Sequence, residues 1–160
     1  MNFNHFDEHG NAVMVDVSAK QPTLRTAVAE AVVRLSPELL AAIRGGGVAK
    51  GDVLGVSRLA GIVAAKKTPE LIPLSHPLAL HSVAIDFALD GTTGRITVQC
   101  TVRAFERTGV EMEAMTGAAV AALTIYDMCK GSDKSIVIGE IKLLYKEGGK
   151  SGVYRREEGR

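Results

Sequence analysis

From Arg25 onward the chain alternates: Ala27, Ala29, Ala31, Val33 and Leu35 fall on one parity, and Thr26, Glu30 and Arg34 on the other. A period of two sends successive side chains to opposite faces of a strand, so a half-buried strand is expected here despite the helical preference of alanine. Two further alternating runs, Ser82–Leu89 and Arg95–Val102, flank Asp90-Gly-Thr-Thr-Gly94 and predict a hairpin. Ile136–Tyr145 predicts a last strand, and Met14–Val17 a short one near the N-terminus. Helical signals fill the intervals. Ser36-Pro37 has the form of an N-cap and first helical position for a short helix, Glu38–Arg44, stopped by Gly45-Gly-Gly47. Asp52 is the expected cap of a second helix running from Val53 to about Lys67, with Val53, Val56, Leu59, Ala60 and Val63 at helical spacing. Thr108 and Glu111 have the T-x-x-E form of a capping box and open a long helix to about Cys129.

The order is β-α-β-β-α-β with one extra short helix. It predicts an α+β domain on the ferredoxin-like plan, an antiparallel sheet with helices packed on one face. The other face would need a cover, and an oligomer supplies one most economically. Residues 1–12 are polar and unpatterned and are expected to form a flexible arm. Residues 13–152 make the single domain. The chain after Glu147 is rich in Gly, Lys and Glu and is expected to be mobile, with 153–160 as a flexible tail.

Composition narrows the class. At 160 residues with 46% apolar side chains, one core can form without staples. The formal net charge of +1 gives no global basic field for nucleic acid or an anionic membrane. Trp is absent and Tyr and Phe total seven, too few for a base-stacking platform. Cys100 and Cys129 cannot build a disulfide framework and match no zinc spacing, as expected of buried thiols in a reducing cytoplasm. No apolar run approaches the roughly 20 residues that cross a bilayer, and the acidic N-terminus is not a signal peptide.

The candidate chemistry lies along the long helix, which is apolar in its middle and ionisable at both ends. Glu111 has a capping role open to it, and Glu113 a role in complementing the helix dipole. Asp127 and Lys130, three apart, fit either an exposed ion pair or a catalytic pair in which the carboxylate fixes the lysine. Lys50 and Lys66 have the same two readings. Glu113 and Asp127 are fourteen residues apart, on the same helical face within roughly 40° and separated by about 21 Å along the axis. One small ligand cannot bridge that distance within a chain, so a site using both ends must be built by two subunits. Elsewhere, two prolines stiffen the loop Ile72-Pro-Leu-Ser-His-Pro77, as preorganisation of His76 would require. The four histidines offer no metal-ligand spacing. Gly148-Gly-Lys-Ser151 is not a phosphate loop, because the leading Gly is replaced by Leu144 and no helix follows.

Taken together, several segments resemble one family. They are Met14-Val-Asp-Val-Ser-Ala-Lys20, Lys50-Gly-Asp52, Ala64-Ala-Lys-Lys-Thr68, Leu71-Ile-Pro-Leu-Ser-His-Pro77, Thr108-Gly-Val-Glu-Met-Glu-Ala114, Leu123-Thr-Ile-Tyr-Asp-Met-Cys-Lys130 and Gly148-Gly-Lys-Ser-Gly152. The chain is similar in this to the MoaC family, the cyclic pyranopterin monophosphate synthases of molybdenum cofactor biosynthesis, over about residues 12–152. The resemblance implies a lyase that converts 3′,8-cyclo-7,8-dihydroguanosine 5′-triphosphate to a cyclic phosphate and expels diphosphate. It implies no metal or organic cofactor and no nucleic-acid or membrane partner. It also implies a hexamer, a trimer of dimers, with active sites at the dimer interface. Carried over by motif, Leu74, Ser75, His76, Met112, Glu113 and Glu111 would hold substrate, with Lys66, Arg25 and Lys146 on the basic wall. Asp127, Lys130 and Lys50 would be catalytic. Ser75 stands where some family members carry Cys, which puts a thiol role in doubt and leaves the family unaffected.

These residue types suit the reaction implied. A triphosphate carries about four negative charges, so several cations should converge on it. Clustered ammonium groups depress one another's pKa, which would bring one lysine near neutrality as a general acid or base. The competing class is a non-catalytic nucleotide-binding module on the same fold. The intact set Lys50, Lys66, His76, Glu113, Asp127 and Lys130 argues against it, since a degenerate module is free to lose some of them.

Overall fold

In a computed structural model that describes residues 5–46, 48 and 51–157, the first alternating run forms β1 (Thr23–Arg34) at the middle of a five-stranded sheet. The other strands are β2 (Leu80–Asp90), β3 (Arg95–Glu106), β4 (Val137–Glu147) and β5 (Tyr154–Arg155). Their order is β2-β3-β1-β4-β5, and every neighbouring pair is antiparallel. The helices are α1 (Pro37–Arg44), α2 (Val53–Lys66), α3 (Thr68–Leu71) and α4 (Glu111–Cys129). This is the ferredoxin-like α+β plan expected, with β5 and α3 added.

Small side chains set the layer spacing. In register, Ala27, Ala29 and Ala31 of β1 lie opposite Val102, Cys100 and Val98 of β3, and all six are fully buried. Helix α4 presents Ala114, Gly117, Ala118, Ala121 and Ala122 to the core. A Cβ on Gly117 would lie 2.7 Å from Cys100 Sγ, and one on Gly61 would lie 2.8 Å from the Gly117 carbonyl oxygen. Helix α4 is thus seated on the sheet, and α2 on α4, at a distance that only glycine permits. Gly61 meets Gly117 and Ala121 while Ala65 meets Gly117, so the two helices run antiparallel and α2 ends where α4 begins.

The opposite face of the sheet carries a charged cluster. Glu30 lies 3.8 Å from Arg95 and 3.4 Å from Lys142, and Glu140 pairs with Arg34 and, at 3.5 Å, with Lys142. Apolar surface is exposed at the cross-strand pair Leu24 and Phe105 on this face, and also on the outer side of the helices. Exposed Val56, Leu59 and Val63 of α2, with Leu71, line a shallow groove of about 580 Å³ together with Val120.

Local signals were obeyed at α1 and α2. Ser36 Oγ accepts from the Leu39 N–H at 3.2 Å, and Asp52 Oδ1 from the Gly55 N–H at 2.8 Å. Three expectations need correction. The capping box does not form: α4 starts at Glu111 behind Val110, which has no side chain to cap with, and Glu111 turns to Lys146. Met14–Val17 is not a strand; it runs outside the ladder, and the Val15 carbonyl is taken by His76. The chain after Glu147 returns as β5, where Tyr154 pairs with Lys146 and Arg156 Nε donates to the Leu143 carbonyl at 2.7 Å. The N-terminal segment carries a local turn, with Phe6 bridged to Ala12 and Asp7 Oδ1 accepting from the His9 and Asn11 N–H groups.

Candidate active site at the two ends of one helix

At one end of the sheet β1 and β2 begin, β3 and β4 finish, and α4 starts. Lys146, opposite Ala27 near the end of β4, reaches Glu111 Oε1 at 2.8 Å, and both side chains are half-buried. Two residues on, Glu113 is 3% exposed. Burial pushes its carboxyl up to about 7; the nearby Glu111 charge adds to the shift, and a bond from Glu113's own backbone N–H opposes it. Met112 lies between the two carboxylates in sequence and is exposed. Arg25 is buried, with Nε donating to the Glu106 carbonyl at 3.0 Å and Nη2 to the Arg107 carbonyl at 3.1 Å.

The proline-flanked loop joins this end because it connects α3 to the start of β2. Ser75 Oγ donates to the Ile72 carbonyl at 2.9 Å, which holds the loop closed and leaves the hydroxyl oxygen free to accept. His76 Nε2 lies 2.7 Å from the Val15 carbonyl oxygen. A carbonyl only accepts, so Nε2 carries the proton and Nδ1 of the neutral ring is the acceptor. Leu74 is half-buried in the same turn. Lys66, in the last turn of α2, lines a cavity of about 350 Å³ with Leu78, Leu80, His81 and Ser82.

His81 was not singled out by the sequence. Its Nδ1 accepts from the Phe105 N–H at 3.1 Å where the β2–β3 register shifts between Leu80 and Ser82. The ring bridges the irregular ladder, and His81 lines the same cavity as Lys66. A lone histidine in an alternating run carries no signal for such a role.

The far end of α4 is different. Lys130 Nζ lies 2.6 Å from Asp127 Oδ1, and both side chains are at least half exposed. The hydrogen bond to Asp127, followed by its charge, raises the Lys130 pKa above the ordinary lysine value. The expected depression of a lysine pKa therefore runs the other way here, because the nearest ionised group is a carboxylate. Lys50 lies outside the described residues.

The site residues thus fall into two groups. Glu111 and Lys146 touch each other, Arg25 borders them through the Glu106–Arg107 backbone, and His76, Ser75, Leu74 and Lys66 lie at the same end. Asp127 and Lys130 lie about four turns of helix away, roughly 21 Å from Glu113. Among the described residues no three His, Cys, Asp or Glu side chains gather as a metal group, and no helix is long and apolar enough to cross a membrane.

Comparison with known proteins agrees over nearly the whole chain. The MoaC family model matches residues 14–149. The cyclic pyranopterin monophosphate synthase of Pelobacter propionicus is 83% identical over 159 residues, covering 99% of each chain. That of Geotalea uraniireducens is 75% identical over 160 residues and 100% of each chain. That of Geobacter sulfurreducens is 71% identical over 159 residues and 99% of each chain.

Proposed function

The chain belongs to the MoaC family, and from that premise we propose that it is a cyclic pyranopterin monophosphate synthase acting in molybdenum cofactor biosynthesis. As a lyase it takes 3′,8-cyclo-7,8-dihydroguanosine 5′-triphosphate, rearranges the purine-derived rings and closes a cyclic phosphate. To close the cyclic phosphate, a hydroxyl oxygen of the sugar-derived part gives its proton to a base and bonds to the α-phosphorus, the bond from that phosphorus to the bridging oxygen breaks, and diphosphate leaves.

The observation that carries this reading is the division of the site. The buried acid and its ion-paired neighbours stand at the start of α4, and the exposed Asp127–Lys130 pair stands at its end. We assign the first end to recognition. Glu113 and His76 hydrogen-bond the guanine-derived edge and the ribose, with Leu74, Ser75, Met112 and Glu111 shaping the pocket. A carboxyl poised near neutrality is drawn into its ionised form by the N–H donors of such an edge, because hydrogen bonds to the charged form favour it. Lys66 and Lys146 take phosphate oxygens on this side.

The second end does the proton chemistry. Asp127 orients Lys130, which moves protons at the rearranging ring; Lys50, outside the described residues, is assigned to stabilising the charge on departing diphosphate. In an isolated chain Lys130 is held charged by Asp127. Cations brought against it by substrate-binding lysines of a second subunit would lower its pKa toward the working range. Each active site is therefore assembled from the recognition end of one subunit and the catalytic end of another, in a hexamer built as a trimer of dimers. The helix length supports this, as does the apolar groove on the outer side of α2. A cytoplasmic location is supported by the free, buried thiol of Cys100.

The direct test is diphosphate release from enzymatically made 3′,8-cyclo-7,8-dihydroguanosine triphosphate, with Lys130→Ala alongside. Release by the native protein alone is expected. No release by the native protein, with the ligand bound, would contradict the lyase reading.

A further inference from the structure

Arg25 is the most buried cation at the recognition end, 7% exposed, and its guanidinium is held by backbone on two sides. Nε–H and Nη2–H end on the carbonyls of Glu106 and Arg107. The glycine-rich turn after β4 covers the remaining face. A Cβ on Gly149 would overlap Nη1 and lie 2.7 Å from Cζ, and one on Gly148 would lie 2.9 Å from Cδ. Gly149 also has φ +73°, in the region that favours glycine. Two independent demands thus fall on one residue: a left-handed turn and the absence of a side chain above the guanidinium.

The three segments joined in this way carry the recognition residues. Glu106 ends β3, and Arg107 leads on toward α4, where Glu111, Met112 and Glu113 emerge. Gly149 follows Lys146 by three residues, and Lys146 is the partner of Glu111. We infer that Arg25 is a positioning residue and not a phosphate ligand: with Gly149 it forms a clamp that fixes the start of α4 against the end of β4, and so sets Glu111, Glu113 and Lys146 in register. The inference rests on the proposed substrate only for its kinetic readout, because the clamp itself is measurable without turnover.

The test compares full-length Arg25→Lys, Gly149→Ala, their double variant and Gly152→Ala. Gly152 has φ +65° with nothing within 4 Å of an added Cβ, so its variant carries the backbone strain without the overlap. Amide hydrogen exchange over residues 107–115 is expected to rise about tenfold in Arg25→Lys and in Gly149→Ala, no further in the double variant, and not in Gly152→Ala. KM for diphosphate release should rise by a similar factor in the same three proteins, with binding of inorganic triphosphate within about twofold of native. Lysine keeps the charge and loses the planar fork, so it cannot rescue a clamp but would largely rescue a phosphate contact. Native-like exchange in Arg25→Lys, additive single effects, or a selective loss of triphosphate binding would each overturn the assignment. A native protein that releases no diphosphate would sink the activity reading, and the exchange comparison would still decide the clamp.

Discussion

The two ends of α4 carry the same residue types in opposite settings. At the start, an acid is buried to 3% exposure and a Lys–Glu pair is half-buried. At the end, an Asp–Lys pair of shorter distance, 2.6 Å, stands in water. The first setting shifts a carboxyl by desolvation, and a single chain is enough to achieve it. The second shifts a lysine only through its neighbour and leaves it fully charged. One end is organised by the fold of a single chain, and the other gains no such burial from it. A contact that contributes little in water becomes consequential only when water is removed from around it.

The largest effect should come from the exposed end. Asp127→Ala is expected to cost about 10³-fold in kcat while leaving urea unfolding within about 0.5 kcal/mol of native, since an exposed pair contributes little to stability. A stability loss matching the activity loss would erase the contrast between the ends. Next comes the buried acid. Glu113 has an ordinary value of 4.5 and a folded value of about 7. Its raised pKa means that the neutral form suits the fold: the contribution is whole below pH 4.5 and is lost as pH rises through 7. The native chain should therefore lose about 3 kcal/mol from this group between pH 4.5 and pH 8, a loss that Glu113→Gln abolishes. Urea titrations of the two proteins at both pH values measure it, and parallel pH profiles would contradict it. The smallest effect belongs to the half-buried pair. In a double-mutant cycle, Lys146→Met and Glu111→Gln should couple by about 1 kcal/mol in stability.

Local structure was legible wherever the cause was local. Ser36 and Asp52 cap helices with bonds three residues long, and the alternation of β1 and of the β2–β3 hairpin survived into the sheet. Two of the failures share one cause, a partner distant in sequence. Glu111 left its expected cap for Lys146, 35 positions away, and the Met14–Val17 run lost its Val15 carbonyl to His76, 61 positions away. Helix α3 was missed because it is a single turn; Thr68 Oγ1 bonds back to the Ala64 and Ala65 carbonyls, and Pro69 follows. In the site, the separation of the two ends followed from helical rise alone. The burial of Glu113 did not, because α4 is apolar on most of its circumference and its pattern cannot show which side the carboxylate takes.

The claim that each active site takes one end of α4 from each of two subunits is tested most directly by complementation. Glu113→Ala and Asp127→Ala chains, each expected to be inactive alone, would be dissociated, mixed in equal amounts, reassembled and assayed for diphosphate release. Random pairing gives about a quarter of sites an intact recognition end and an intact catalytic end, and so about a quarter of native activity. Activity no higher than that of either variant alone, in oligomers shown to contain both chains, would place the whole site within one subunit and contradict the account.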